Sequence, residues 1–211
     1  MIASGANSRQ NPAYRLVSIS ILSEKAITMS DQHLIEKPLT SEQIFQGLFL
    51  KIYHDTVELP NGKIAQREYI KHSGAVAVLA IDNENNIIME RQYRHPVGQI
   101  MYELPAGKID PNEDDLTCGR RELVEETGYV ASEWTLLGEC LPCIGYSNER
   151  IVYFLAQNLN FTASNLDDGE FVEVVKHPLD EVFAMAFSGQ IKDSKTLSGL
   201  MLLYGHLNKS R

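Results

Sequence analysis

Apolar positions along the chain fall into two kinds of run. One alternates or stays continuous over five to eight residues, and the other repeats at helical spacing. Residues 48–58 and 63–72 are strand-like and flank Pro60-Asn61-Gly62. Asn-Gly between two such runs is the strongest short hairpin signal, so a β-hairpin is expected ahead of the main domain. Its Phe49, Ile52 and Val57 need a surface to cover, because a two-stranded ribbon is marginal alone. That surface is either the hairpin's own domain or a second subunit. Residues 75–81 are continuously apolar, as in a strand buried on both faces. Asp82-Asn-Glu-Asn85 turns the chain, and residues 87–93, 99–104, 134–140, 151–156 and 171–175 read as further strands. Residues 179–187 and 196–207 carry apolar side chains at helical spacing. Strands interleaved with helices mean an α/β layered domain. Residues 1–44 are expected to be an irregular extension, 45–72 the hairpin region and 73–211 the main domain.

Between these elements, Pro111 suits a first helical turn, Asp110 can cap it and Gly128 supplies a left-handed stop, which predicts a helix over 111–127. On it Glu122, Glu125 and Glu126 stand three and four residues apart and share one flank. They repel one another and sit in the last turn, where the helix dipole disfavours negative charge. A folding rationale alone does not put them there. A hard divalent cation resolves the conflict, since Mg²⁺ or Mn²⁺ takes carboxylate oxygens and keeps positions for water and phosphate. The alternative is a solvated acidic face.

The full pattern decides between them. It reads Gly107, five residues, Glu113, seven residues, then Arg121-Glu-Leu-Val-Glu-Glu-Thr-Gly-Tyr129. With residue frequencies of roughly 5 to 7% at seven fixed positions, a chance match is on the order of one in a million. The stretch resembles the signature box of the Nudix hydrolases at every fixed position. Outside the box the chain is most similar to the ADP-ribose (ADP-sugar) pyrophosphatase subgroup. Arg91-Gln-Tyr-Arg94, Glu103-Leu-Pro-Ala-Gly107, Gly145-Tyr-Ser-Asn148 and Asp168-Gly-Glu-Phe-Val-Glu-Val174 carry that likeness, and Pro142 falls near the subgroup's usual proline. Many members have a second proline where this chain has Cys143-Ile144.

The resemblance implies an α/β/α sandwich with a mixed sheet, preceded by an N-terminal hairpin, and a homodimer in which that hairpin reaches across. It implies Mg²⁺-dependent cleavage of ADP-ribose to AMP and ribose 5-phosphate, with Mn²⁺ able to substitute. GDP-mannose or another nucleoside diphosphate sugar is the alternative substrate, and a ligand-sensing module without hydrolysis is the alternative of a different class. By the same likeness the Ala106 carbonyl and the carboxylates of Glu122, Glu125 and Glu126 hold metal, and Glu170 is the general base with Glu125 as its rival. Arg121 holds a box carboxylate through its planar fork. Glu113 either stabilises the helix N-terminus or reaches metal through water. Arg94 clamps a substrate phosphate, Arg67 reaches the nucleotide, Glu103 contacts ribose or metal, and Gly107 lies at the substrate.

Composition narrows the partners. A net charge of −9 argues against nucleic acid or an anionic membrane, both of which reward surplus Lys and Arg. Three cysteines are too few for a disulfide framework and fit a reducing, cytoplasmic setting. Cys140-Leu-Pro-Cys143 has redox spacing, but no second pair or His cluster completes a metal site. No apolar run approaches the ~18 residues of a spanning helix. Residues 1–28 read as irregular and Met29 opens more ordinary sequence, which leaves open a native start there.

Overall fold

The computed structural model describes residues 29–163 and 171–208. The 1–28 extension and Glu170, with Asp167, Asp168 and Gly169, lie outside the described residues. Among the described residues, ten strands and three α-helices follow in order. Strands β1 (Lys37–Gln46), β2 (Lys51–Glu58) and β3 (Ile64–Ile70) form an antiparallel N-terminal sheet. The expected hairpin is β2–β3, and Gly62 takes the left-handed conformation its turn needs. The expectation that 1–44 is irregular is corrected by β1, which pairs with β2 along its length. Its polar sequence hides the strand, since every one of its residues is exposed and no apolar alternation marks it.

The main domain is layered about β4 (Ala75–Ala80) and β9 (Ile151–Phe161), which run parallel at the centre of a mixed sheet ordered β7-β4-β9-β8. Its outer strands β7 (Ala106–Lys108) and β8 (Tyr129–Cys140) are antiparallel to their neighbours. A second, antiparallel sheet holds β5 (Asn86–Arg94) between β6 (Gln99–Glu103) and β10 (Val172–Pro178). Alternation sorts the core. Val76, Val78 and Ala80 of β4 and Val152, Phe154 and Ala156 of β9 pack with Cys118 and Leu123 of helix α1 (Asp115–Thr127). Ala77, Leu79, Tyr153 and Leu155 face the other way, onto helices α2 (Leu179–Phe187) and α3 (Ser194–Asn208). This is a sheet layer with helices on both sides, as the resemblance implied.

Two differences from the sequence expectation bear on the site. The helix predicted over 111–127 starts at Asp115, because Asn112 adopts a left-handed backbone and Asp114 caps instead. The Asp114 carboxylate accepts from the N–H groups of Leu116 and Thr117 at 3.1 and 3.0 Å. Gly128 ends the helix in the left-handed conformation expected of it. The second difference is that the strand predicted over 99–104 stops at Glu103, and the chain changes sheets across Leu104-Pro105 to enter β7. Pro105 has no N–H to continue a ladder.

Candidate active site

The strand β7 and the last turns of α1 meet at a cleft of about 570 Å³. Ala106, Gly107, Lys108, Arg121, Glu122, Glu125 and Glu126 line it together with Arg94, Asp193 and Lys195. Phe49 and His72, at the edge of the N-terminal sheet, also reach it, and Lys108 Nζ lies 4.6 Å from the Phe49 ring centroid. The pairing of β4 with β7 sets Val76 opposite Gly107 and Ala77 opposite Ala106, which fixes this rim of the cleft to the central sheet.

Arg121 organises the acidic cluster. Its Nε and Nη2 each donate to a Glu113 oxygen at 2.9 Å, and its Nη1 donates to Glu122 at 2.7 Å and to Glu125 at 3.1 Å. Nη2 also reaches the Lys108 carbonyl at 3.1 Å. The bidentate partner is therefore Glu113, whose carboxyl the guanidinium holds down at about 2. Glu113 also accepts the Asp110 N–H, in the loop before the helix. The third glutamate, Glu126, turns to the strand and accepts the Ala106 N–H at 2.9 Å.

Among the described residues, no three Asp, Glu, His or Cys side chains already converge at ligating distance. Arg121 supplies the positive charge among these carboxylates. The donor set nonetheless suits a hard divalent cation: oxygen atoms from three carboxylates and a backbone carbonyl, without sulfur or imidazole. Gly107 leaves the room the cluster needs, since a Cβ at this position would overlap the Glu122 carboxylate.

Arg94 and Glu103 form a closed pair. Arg94 Nε and Nη2 donate to the two Glu103 oxygens at 2.7 and 2.8 Å, and Lys195 Nζ adds a third bond at 3.1 Å. Burial acts to raise the Glu103 pKa, but these cations outweigh it and hold the carboxyl below its ordinary value. Arg67 does not join the others. It pairs with Glu36 on the exposed N-terminal sheet and is not among the residues lining the cleft.

Sequence reasoning missed three groups. Asp193 and Lys195 come from the start of α3, some ninety residues beyond Glu103, and no local pattern links them. Glu90 is 3% exposed on β5, and its carboxyl hydrogen-bonds that of Glu126. Burial pushes its pKa up to about 7. A signal existed here: on a strand Glu90 shares a face with Ile88, which is buried toward α1.

The three cysteines are free. No helix among the described residues is long and apolar enough to cross a membrane.

Compared with known families, residues 71–198 match the NUDIX domain, and residues 36–70 match the nucleoside diphosphate sugar hydrolase N-terminal domain. The chain is 40% identical over 172 residues to the ADP-ribose pyrophosphatase of Bacillus subtilis (strain 168), covering 81% of this chain and 93% of that protein. It is 41% identical over 170 residues to the methanol dehydrogenase activator of Bacillus methanolicus, covering 80% and 92%. The GDP-mannose pyrophosphatase of Citrobacter koseri (strain ATCC BAA-895 / CDC 4225-83 / SGSC4696) is 30% identical over 186 residues, covering 82% and 94%. A crystal structure of an ADP compounds hydrolase superposes with a TM-score of 0.73 at 22% identity, covering 82% of this chain and 96% of that one, which establishes likeness of fold.

Proposed function

The chain belongs to the Nudix family, and from that membership we propose that it hydrolyses ADP-ribose to AMP and ribose 5-phosphate with Mg²⁺. It is a Nudix pyrophosphohydrolase, and its relatives support a nucleoside diphosphate sugar as the substrate class. The observation that carries the proposal is the gathering of Glu122, Glu125, Glu126 and Ala106 in one cleft with Arg94. ADP-ribose ranks ahead of GDP-mannose because the relatives named for it are 40% and 32% identical, against 30% for the GDP-mannose enzyme of Citrobacter koseri.

Glu122, Glu125, Glu126 and the Ala106 carbonyl are the proposed holders of the divalent ions. Held by those oxygens, a divalent cation would supply neutralisation of charge growing on the phosphates and a more electrophilic phosphorus. Arg121 keeps the glutamates from repelling one another and, through Glu113, ties the helix to the loop before it. Arg94 commits Nε and Nη2 to Glu103, so Nη1 is the nitrogen that remains for a phosphate oxygen. The attacking water loses its proton to Glu170 in this proposal. Glu125, whose side chain is 37% exposed, is the other candidate. Phe49 and His72 pack edge to face on one another at the cleft edge.

The proposal extends to a homodimer built on the N-terminal sheet, through which Arg67 reaches a partner's substrate. Leu39, Ile44 and Phe45 of β1 are each about half exposed, an apolar surface that a second subunit would cover. Assaying product release from ADP-ribose and GDP-mannose, with and without Mg²⁺, tests the assignment. Faster AMP release from ADP-ribose supports it, and preference for GDP-mannose selects the alternative. Binding of both without cleavage would indicate a sensing module.

A further inference from the structure

Lys195 and Thr196 stand at the start of α3, away from the signature helix, yet both bond the backbone of Leu104 on the cleft rim, and Asp193, just before α3, holds the two of them. Asp193 Oδ2 accepts from Thr196 N at 2.9 Å, Thr196 Oγ1 at 2.7 Å and Lys195 Nζ at 3.1 Å. Thr196 Oγ1, having donated its only proton to Asp193, accepts the Leu104 N–H at 2.9 Å. Lys195 Nζ donates to the Leu104 carbonyl at 3.3 Å and to Glu103 at 3.1 Å. Both backbone groups of Leu104 are thus held by α3 side chains.

Leu104 is where this support counts. It lies between β6 and β7, at the sheet change, so strand pairing does not provide for its backbone, and buried backbone groups need partners. The residue before it grips Arg94, and two residues after it comes Ala106. Thr196 is fully buried, and Gly199 one turn later lets α3 approach, since a Cβ there would fall 2.7 Å from Leu104 Cδ1. Lys195 is engaged by three acceptors, which matches its three protons and leaves it no donor for substrate.

We infer that Asp193, Lys195 and Thr196 are positioning residues, which lock the Glu103–Ala106 rim and thereby aim the Ala106 carbonyl and the Arg94 guanidinium. The roles of Ala106 and Arg94 rest on the proposed function, and the positioning itself rests on the bonds to Leu104 and Glu103. The Thr196 arm holds the Leu104 N–H alone, whereas the Lys195 arm also holds the Glu103 carboxylate that grips Arg94 and so bears directly on the phosphate side.

The test compares Thr196→Val, Thr196→Ser and Lys195→Met with the parent full-length protein. Mn²⁺ affinity is read by water-proton relaxation without substrate, kcat and KM with ADP-ribose, and folding by thermal unfolding. Thr196→Val keeps the side-chain shape but removes the acceptor for Leu104. It is expected to weaken Mn²⁺ binding and lower kcat by about tenfold or more, the usual scale for groups that orient metal ligands. Thr196→Ser is expected to restore both, and Lys195→Met to raise KM more than it lowers kcat. Parent-like Mn²⁺ affinity and turnover in folded Thr196→Val would overturn the inference. Should Thr196→Val not fold, Lys195→Met decides, and unchanged KM overturns it. If the parent binds Mn²⁺ but cleaves no nucleoside diphosphate sugar, the proposed function fails, while the Mn²⁺ comparison still decides the positioning role.

Discussion

Gly107 and Glu122 lie in such close register that the carboxylate occupies the space a side chain at 107 would need. Glu122 is buried and bonded to Arg121, so it has little freedom to step aside. Gly107→Ala is therefore expected to displace Glu122 and to cost on the order of a hundredfold in kcat, as small misplacements at a reacting centre do. Steady-state kinetics beside a melting curve check this, and the melting temperature should fall far less than activity.

Arg121 is the cation of a cluster that otherwise repels itself. Arg121→Met leaves Glu113 and Glu122 without their charged donor, and a loss of about 1–3 kcal/mol is expected. Added Mg²⁺ should then raise the melting temperature of the variant more than that of the parent, because the cation replaces the missing charge. Thermal unfolding with and without Mg²⁺ measures both effects.

Glu90 gives a pH dependence whose sign follows from burial. Its folded pKa lies above the unfolded carboxylate value, so its neutral form is fully favourable below about 4.5, the unfolded value, and stability is lost as pH rises toward about 7. Glu90→Gln removes that titration. In metal-free protein the variant's stability relative to the parent should be higher at pH 8 than at pH 5, as denaturant unfolding at the two values would reveal.

The carboxylate cluster was legible because its signal is local: three glutamates on one helical flank, a glycine stop and a fixed spacing back to Gly107. The continuous run 75–81 likewise announced a strand buried on both faces, and β4 is that strand. The helix starts later than 111 because Asp110-Pro111, good helix-starting residues, are equally good turn residues: the Glu113 N–H donates to the Asp110 carbonyl at 3.1 Å and Asn112 takes the left-handed position of that turn. Strand β1 was missed because an exposed strand has no hydrophobic period. Alternation with Ile88 marks Glu90 as facing the core, but its meeting with Glu126, like that of Lys195 with Glu103, is made by tertiary packing and leaves no trace in spacing along the chain.

Gly128 caps α1 with φ 75°, and the last turn it closes carries Glu125 and Glu126, with Glu122 one turn before. Gly128→Ala should cost about 1 kcal/mol, a fall in melting temperature of roughly 3 °C. Turnover should fall as well, because the strain is felt beside Glu125 and Glu126.

The exposed apolar residues of β1 predict a dimer in solution. Sedimentation should give twice the 23.7 kDa chain mass, and Phe45→Glu with Ile44→Glu should shift the protein toward monomer. If Arg67 serves a neighbouring subunit's substrate, that shift should raise KM as well.

The most direct measurement is AMP release from ADP-ribose by the parent protein and by Glu122→Gln, each with and without Mg²⁺. The account predicts Mg²⁺-dependent release by the parent and a loss on the order of a hundredfold or more in the variant. Equal rates for the two proteins, or release that ignores the metal, would contradict it.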